Sequence, residues 1–140
     1  MIIIIRSRCT MRYSKQRDTV YEIVQSNPRH LSAEEVWELS KVEIPLIGFA
    51  TVYRNLNALV QMGLVRRIKS VDGVDHFDAC VMPHAHFICT HCAKVYDSVM
   101  SYQDVMEKIR MQSGENVEDV EIFIKGVCKD CQIVHNSNER

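Results

Sequence analysis

From Ser14 to about Val24 the apolar positions Val20, Ile23 and Val24 fall at helical spacing, with polar residues between them. A second helix opens at Ser32. Glu35 stands three residues on, the reciprocal pattern of a capping box, and Val36, Trp37 and Leu39 follow. Pro45 and Gly48 then break the helix and turn the chain. A third periodic run, from about Phe49 to Met62, puts Val52, Leu56, Leu59 and Val60 on one face and stops at Gly63. Trp37, Leu39, Leu56 and Leu59 read as core. Beyond Gly63 the period changes to that of strands. Leu64–Ser70 and Val74–Asp78 are strand-like and joined across Asp72-Gly73, a strong tight-hairpin signal.

Helix, turn, helix and β-hairpin is the order of a winged helix, in which the helix after the turn enters the major groove and the hairpin tracks the backbone. The outward face of 49–62 offers Thr51, Tyr53, Arg54, Asn55 and Asn57, and the wing carries Arg66, Arg67 and Lys69. An ordinary solvated helix face beside a basic hairpin has the same pattern. His76 is expected to face solvent from the wing. The stretch Asp78–His84 shows no period, holds Pro83 and reads as a hinge. After it, His86–Thr90 and Lys94–Ser98 look like a hairpin, Tyr102–Gln112 like a helix and Val117–Val127 like an alternating strand. A unit of about 50 residues is too small for a sizeable core, so a metal staple and dimer formation are the expected remedies.

The fold class is therefore α+β: a winged-helix DNA-binding domain at 11–78, a hinge at 79–85 and a small α/β dimerisation domain at 86–133. Residues after Ile133, His135 among them, read as a loose tail. Composition agrees with a folded chain. Of 140 residues 46% are hydrophobic, with five Gly and three Pro, which excludes a disordered or collagen-like protein. The net charge of −1 gives no hint of a nucleic-acid ligand, but it is an average. Residues 1–78 carry 11 Lys/Arg against 9 Asp/Glu, and 79–140 carry 6 against 9. Ile2–Ile5 is shorter than a secretory core of roughly 7–15 apolar residues or a span of about 20, so a cytoplasmic protein with no membrane contact is expected. Met11 reads as a domain start and residues 1–10 as an extension.

Six cysteines stand at 9, 80, 89, 92, 128 and 131. In a reducing cytosol disulfides explain them poorly. Cys89/Cys92 and Cys128/Cys131 are two Cys-x-x-Cys pairs, and together they complete a tetrahedral thiolate shell for Zn(II). Such a shell is closed, hence structural. A zinc hydrolase or deaminase would need an open position and a general base, and no His-Glu signature is present, so the chain does not read as an enzyme. A zinc-stapled interaction module would account for the C-terminal half and leave the winged helix idle. Cys80 reads as a small buried residue, with a redox role beside Asp78 as the alternative, and Cys9 lies in the extension.

A second constellation precedes the first cysteine pair. In an extended strand His84 and His86 point to one face and Cys89 to the other. With Thr90–Ala93 as the hairpin loop, His86 lies opposite Asp97. Imidazole and carboxylate together suit Fe(II), Mn(II) or Zn(II). Two surface histidines at a strand start are the alternative. His30 and Asp78 are further candidates that nothing local brings near.

His84-Ala85-His86-Phe87-Ile88-Cys89-Thr90-His91-Cys92, Cys128-x-x-Cys131 and Ala50-Thr51-Val52-Tyr53-Arg54-Asn55-Leu56 resemble the ferric uptake regulator family of bacterial metal-dependent repressors, from about Met11 to Gln132. The resemblance implies a homodimer on a pseudo-palindromic double-stranded DNA operator, zinc at the four cysteines and a regulatory Fe(II) or Mn(II) between the domains. Matched individually, the regulatory ligands are His30, Asp78, His84, His86 and Asp97. Asp at 97, where iron-uptake members usually have Glu, points to the peroxide-sensing branch, and Pro83 and Ala85 lack ligands that many iron-uptake members carry. In that branch His30 and His84 would be the oxidation-sensitive ligands. An iron-uptake or zinc-uptake regulator is the alternative. Tyr53 and Arg54 are expected at the DNA bases, Thr51 and Asn55 among the other DNA-binding residues, and Lys15, Arg17, Arg66, Arg67 and Lys69 at phosphates.

Overall fold

The computed structural model describes residues 14–138, so the readings of Ile2–Ile5, Cys9 and Met11 lie outside the described residues. Helix α1 (Lys15–Ser26) starts behind Ser14, whose hydroxyl accepts from the Arg17 N–H. Strand β1 (Arg29–Ser32) follows, an element that the periodicity did not indicate. Helix α2 (Ala33–Glu43) opens at the expected capping box. Ser32 Oγ accepts from the Glu35 N–H at 3.3 Å, and Glu35 Oε2 accepts from the Ser32 N–H at 2.8 Å. Helix α3 (Phe49–Gln61) buries Val52, Leu56 and Leu59, and Gly63 takes φ +74° just past its end. The wing is β2 (Arg66–Lys69) and β3 (Asp75–Asp78), shorter than the sequence suggested.

The C-terminal part runs β4 (His86–Cys89), β5 (Val95–Asp97), α4 (Tyr102–Ser113), β6 (Phe123–Gly126) and α5 (Lys129–Asn138). The expected strand at Val117–Val127 is confined to Phe123–Gly126, because its partner β4 offers four residues of parallel ladder. Ahead of it the chain is held by side chains instead: Tyr102 donates its hydroxyl to Asp119 Oδ1 at 3.0 Å and accepts from the Val120 N–H at 3.2 Å. The expected loose tail is helical to Asn138. No helix among the described residues is long and apolar enough to cross a membrane.

The strands form one sheet in the order β2-β3-β1-β5-β4-β6. β1 stands at its middle, antiparallel to β3 on one side and to β5 on the other. Leu31 pairs with Phe77, and both join the apolar core that α1, α2 and α3 enclose. Their neighbours His30, His76 and Asp78 therefore project from the opposite face. His76 is consequently buried, not solvent-facing, with 6% of its surface exposed. Leu39, expected in the core, is 42% exposed because the buried stripe of α2 centres on Val36 and Ser40. Trp37 lies half-buried against the core, and its indole N–H donates to the Ile47 carbonyl at 2.9 Å.

Candidate metal centre

Two groups of donors converge, on different elements. In the first, Cys89 ends β4 and Cys92 lies in the β4–β5 turn, while Cys128 directly precedes α5 and Cys131 stands in its first turn. The parallel pairing of β6 with β4 sets Gly126 opposite Cys89 and delivers the second pair to the first. Cys89 Sγ lies 3.9 Å from Cys131 Sγ, and Cys92 Sγ lies 3.8 Å from Cys128 Sγ. Around an ion with Zn–S bonds of about 2.3 Å the edge of a tetrahedron is about 3.8 Å, so the spacing fits zinc. Burial alone would raise the Cys89 thiol, yet the backbone N–H groups of Cys92, Cys128 and His91 donate to its sulfur and bring its pKa to about 6. Cys131 is pushed up to about 12 by hydrogen bonding with the Cys128 sulfur and by burial. Four thiols this close do not all ionise without a cation among them.

The second group joins His30 from β1, Asp78 from the end of β3, His84 from the segment before β4, His86 from β4 and Asp97 from β5, with donor atoms all within 4.8 Å of one another. The hairpin register is the expected one, His86 opposite Asp97. His30 Nε2 lies 2.7 Å from Asp97 Oδ1 and 3.5 Å from Asp78 Oδ2. His84 Nε2 is 2.9 Å from each of those oxygens, and His86 Nε2 is 3.1 Å from Asp78 Oδ2. Neighbouring donors about 3 Å apart suit an ion with bonds of about 2.1 Å. The test of fit is His84 Nε2, a buried nitrogen close to two carboxylates yet with no hydrogen-bond geometry to either. Its Nδ1 donates to the Met82 carbonyl at 2.6 Å, so Nε2 is the free lone pair.

Protonation agrees with ligation. Burial lowers the pKa of His30, against the pull of Asp78 and Asp97, and so favours the neutral imidazole a cation needs. Burial works against ionised Asp78, but hydrogen bonds from His86 and the Cys80 N–H outweigh it and hold the carboxyl below its ordinary range. His30, Asp78 and His86 are buried, whereas the Asp97 side chain is 53% exposed, which leaves an approach from solvent. Cys80, expected to be buried, is exposed next to this group.

The candidate DNA residues stand on α1, α3 and the wing, where Arg66 pairs across the ladder with Asp78. Tyr53 and Arg54 are exposed on α3, with Phe49 stacked on Tyr53 at 6.1 Å between ring centres. Arg54 donates to Thr51 Oγ1 at 3.3 Å. Asn55 is turned back, giving its amide to the Thr51 carbonyl at 2.9 Å. In the wing Arg67 and Lys69 are exposed and Arg66 is half-buried; on α1 Lys15 is exposed and Arg17 half-buried. The Arg67 guanidinium donates to Asn57 and lies 3.4 Å from Asp75, so it ties the wing to α3. Sequence reasoning missed β1, which carries His30, and His76; no local signal marks either.

The ferric uptake regulator family model matches residues 8–125. The chain is 29% identical over 123 residues to the peroxide-responsive repressor PerR of Staphylococcus saprophyticus, spanning 87% of this chain and 83% of that one. It is similar to the solved peroxide stress regulator of Campylobacter jejuni, at 30% identity and TM-score 0.67, over 83% of this chain and 88% of that one. It shares its fold with the ferric uptake regulator of Helicobacter pylori, at 22% identity and TM-score 0.76, over 87% and 83% of the two chains.

Proposed function

The chain belongs to the ferric uptake regulator family, whose members are metal-responsive transcriptional regulators and not enzymes, and on that premise we propose a repressor that binds a pseudo-palindromic operator as a homodimer when its regulatory site is filled. The observation that carries the reading is the convergence of three imidazole nitrogens and two carboxylate oxygens, from elements on both sides of residues 79–85. His30 and Asp78 belong to the reader at 11–78, His84 to the hinge, and His86 and Asp97 to the dimerisation unit at 86–133. Ligands on both sides give metal binding a preference for one arrangement of reader and dimer, which sets the spacing of the two recognition helices. Cys89, Cys92, Cys128 and Cys131 hold structural zinc, and Fe(II) or Mn(II) is the regulatory ion. Tyr53 and Arg54 read bases, with Thr51 and Asn55 beside them, while Lys15, Arg17, Arg66, Arg67 and Lys69 meet phosphates.

The finer reading is peroxide sensing. It is supported by aspartate at 97 and by the peroxide-responsive relatives. The chemistry an Fe(II) ion supplies here is reduction of peroxide beside oxidisable imidazoles; in net terms His30 or His84 takes one oxygen atom and the peroxide leaves as water. An oxidised imidazole is a poorer donor, so reader and dimer unit lose their shared ligands and the operator is released.

Gel shift on DNA from the chain's own promoter, with and without Mn(II), tests the repressor reading: retention that ignores the metal sinks it. Mass spectrometry of tryptic peptides after exposing the Fe(II) form to modest peroxide tests the sensor. One added oxygen is expected on the His30 or His84 peptide. Oxidation of Cys89 and Cys92 with zinc release would mean a thiol switch instead. Metal-dependent DNA binding with no ligand oxidation would leave an iron- or zinc-uptake regulator.

A further inference from the structure

Among the described residues, His76 is a buried histidine that belongs to neither donor group. Its Nδ1 lies 2.7 Å from the main-chain carbonyl of His30. A carbonyl only accepts, so Nδ1 carries the proton and the ring is fixed in one tautomer. We propose that His76 is a positioning residue for the histidine–carboxylate site, pinning the His30 backbone and so holding the His30 imidazole against Asp78 and Asp97. The proposal rests on reading that cluster as a metal site.

The placement follows from register. On β3, three consecutive residues engage β1 in three ways: His76 holds the His30 carbonyl, Phe77 pairs with Leu31 in the helical core, and Asp78 faces His30 Nε2 at 3.5 Å. β1 itself is four residues long, entered directly after Pro28 and left directly into α2. With so short a ladder on either side, one buried hydrogen bond to the carbonyl of the ligand residue is a large share of what fixes its backbone. The His30 ring meets Asp97 at 2.7 Å, a separation that tolerates little drift. Hydrogen-bonded partners behind metal ligands typically contribute about 10–100-fold to affinity.

The test compares His76→Asn with His76→Gln in the full-length, zinc-loaded chain. The Asn amide nitrogen sits where Nδ1 sits and keeps the donor to His30; the Gln amide reaches the Nε2 position and loses it. The two are alike in polarity, so burial alone predicts no such ranking. Mn(II) affinity is read from the free-ion EPR signal, with zinc content and Tm measured alongside. Affinity within about threefold of wild type for the Asn variant, and a loss of tenfold or more for the Gln variant with its zinc retained, supports the role. Equal losses in both, the reverse order, or a Gln variant that binds like wild type overturns it. A wild-type chain that takes up no Mn(II) at this site overturns the metal-site reading itself, and with it the role of His76.

Discussion

Helices α1–α3 and the wing close around an apolar core in which Val20, Val36, Val52 and Leu56 lose all contact with solvent, whereas after residue 85 the strands contribute Ile88 and Val95 to a three-residue cluster with Ile68 from the wing, and α4 buries Tyr102 and Met106 apart from it. The C-terminal part meanwhile leaves Val99 fully exposed, Met111 80% exposed and Ile133 65% exposed. The reader is held by burial of side chains along periodic helices. The dimerisation unit has too little of that to stand alone. Four thiols placed to surround a cation supply the staple that its small core does not. The charge divides along the same line: the basic excess lies in residues 1–78 and the acidic excess in 79–140.

The sharpest way to break this comparison is to remove the zinc. Chelation, or Cys128→Ser, forfeits a binding free energy of about 10–16 kcal/mol at a structural thiolate site. The expected outcome is loss of the β-sheet signal and of the dimer, with α-helical ellipticity from α1–α3 largely kept. Circular dichroism and sedimentation velocity on the same sample check it. Helices that melt together with the C-terminal strands would show that the continuous sheet makes one cooperative unit of the chain.

The converse experiment attacks the reader. Leu56 is fully buried, and Leu56→Ala removes apolar surface and leaves a cavity, at a cost of about 2–5 kcal/mol. Unfolding of the N-terminal half in less denaturant, with zinc still bound, is the expected result of a urea titration with zinc content followed in parallel. Zinc lost at the same midpoint would erase the distinction.

What the sequence showed about each half follows the same line. Local chemistry was legible: the Ser32–Glu35 box, the stop at Gly63, the cysteine pairs and the opposition of His86 and Asp97 all arise from residues close along the chain. Elements fixed by distant partners were not. β1 is four residues with no period to read, and it exists because Phe77 and Tyr96 lie on either side of it. His76 looked like a wing residue until β1 covered it, and Cys80 and Leu39 changed sides for similar reasons of neighbours rather than pattern. The five donors at His30, Asp78, His84, His86 and Asp97 span 67 positions of chain, so their meeting rests on that same strand.

A smaller effect separates contact types within the reader. Arg54→Ala should cost about 1–3 kcal/mol, and only for operators carrying its preferred base, because a base contact discriminates. Lys69→Ala should weaken every DNA alike and reduce the salt slope by about one. Fluorescence anisotropy against an operator and its single-base variants, over a salt series, distinguishes them. A uniform loss for Arg54→Ala moves it to the phosphate class.

The smallest change probes the seam. Ser32 ends β1 and caps α2, and its Oγ takes the Glu35 N–H at 3.3 Å, while Arg29 braces the Glu35 carboxylate at 2.7 Å. Ser32→Ala leaves an orphan donor in the first turn of α2, a loss of about 1 kcal/mol. For a unit of this size that lowers Tm by roughly 4–8 °C. Calorimetry with zinc present should show the shift in the reader's transition alone, since none of the lost contacts touches the thiolate site. A matching fall in the C-terminal transition would mean that β1, through Arg29 opposite Tyr96 and His30 opposite Val95, carries stability across the seam as well as a metal ligand.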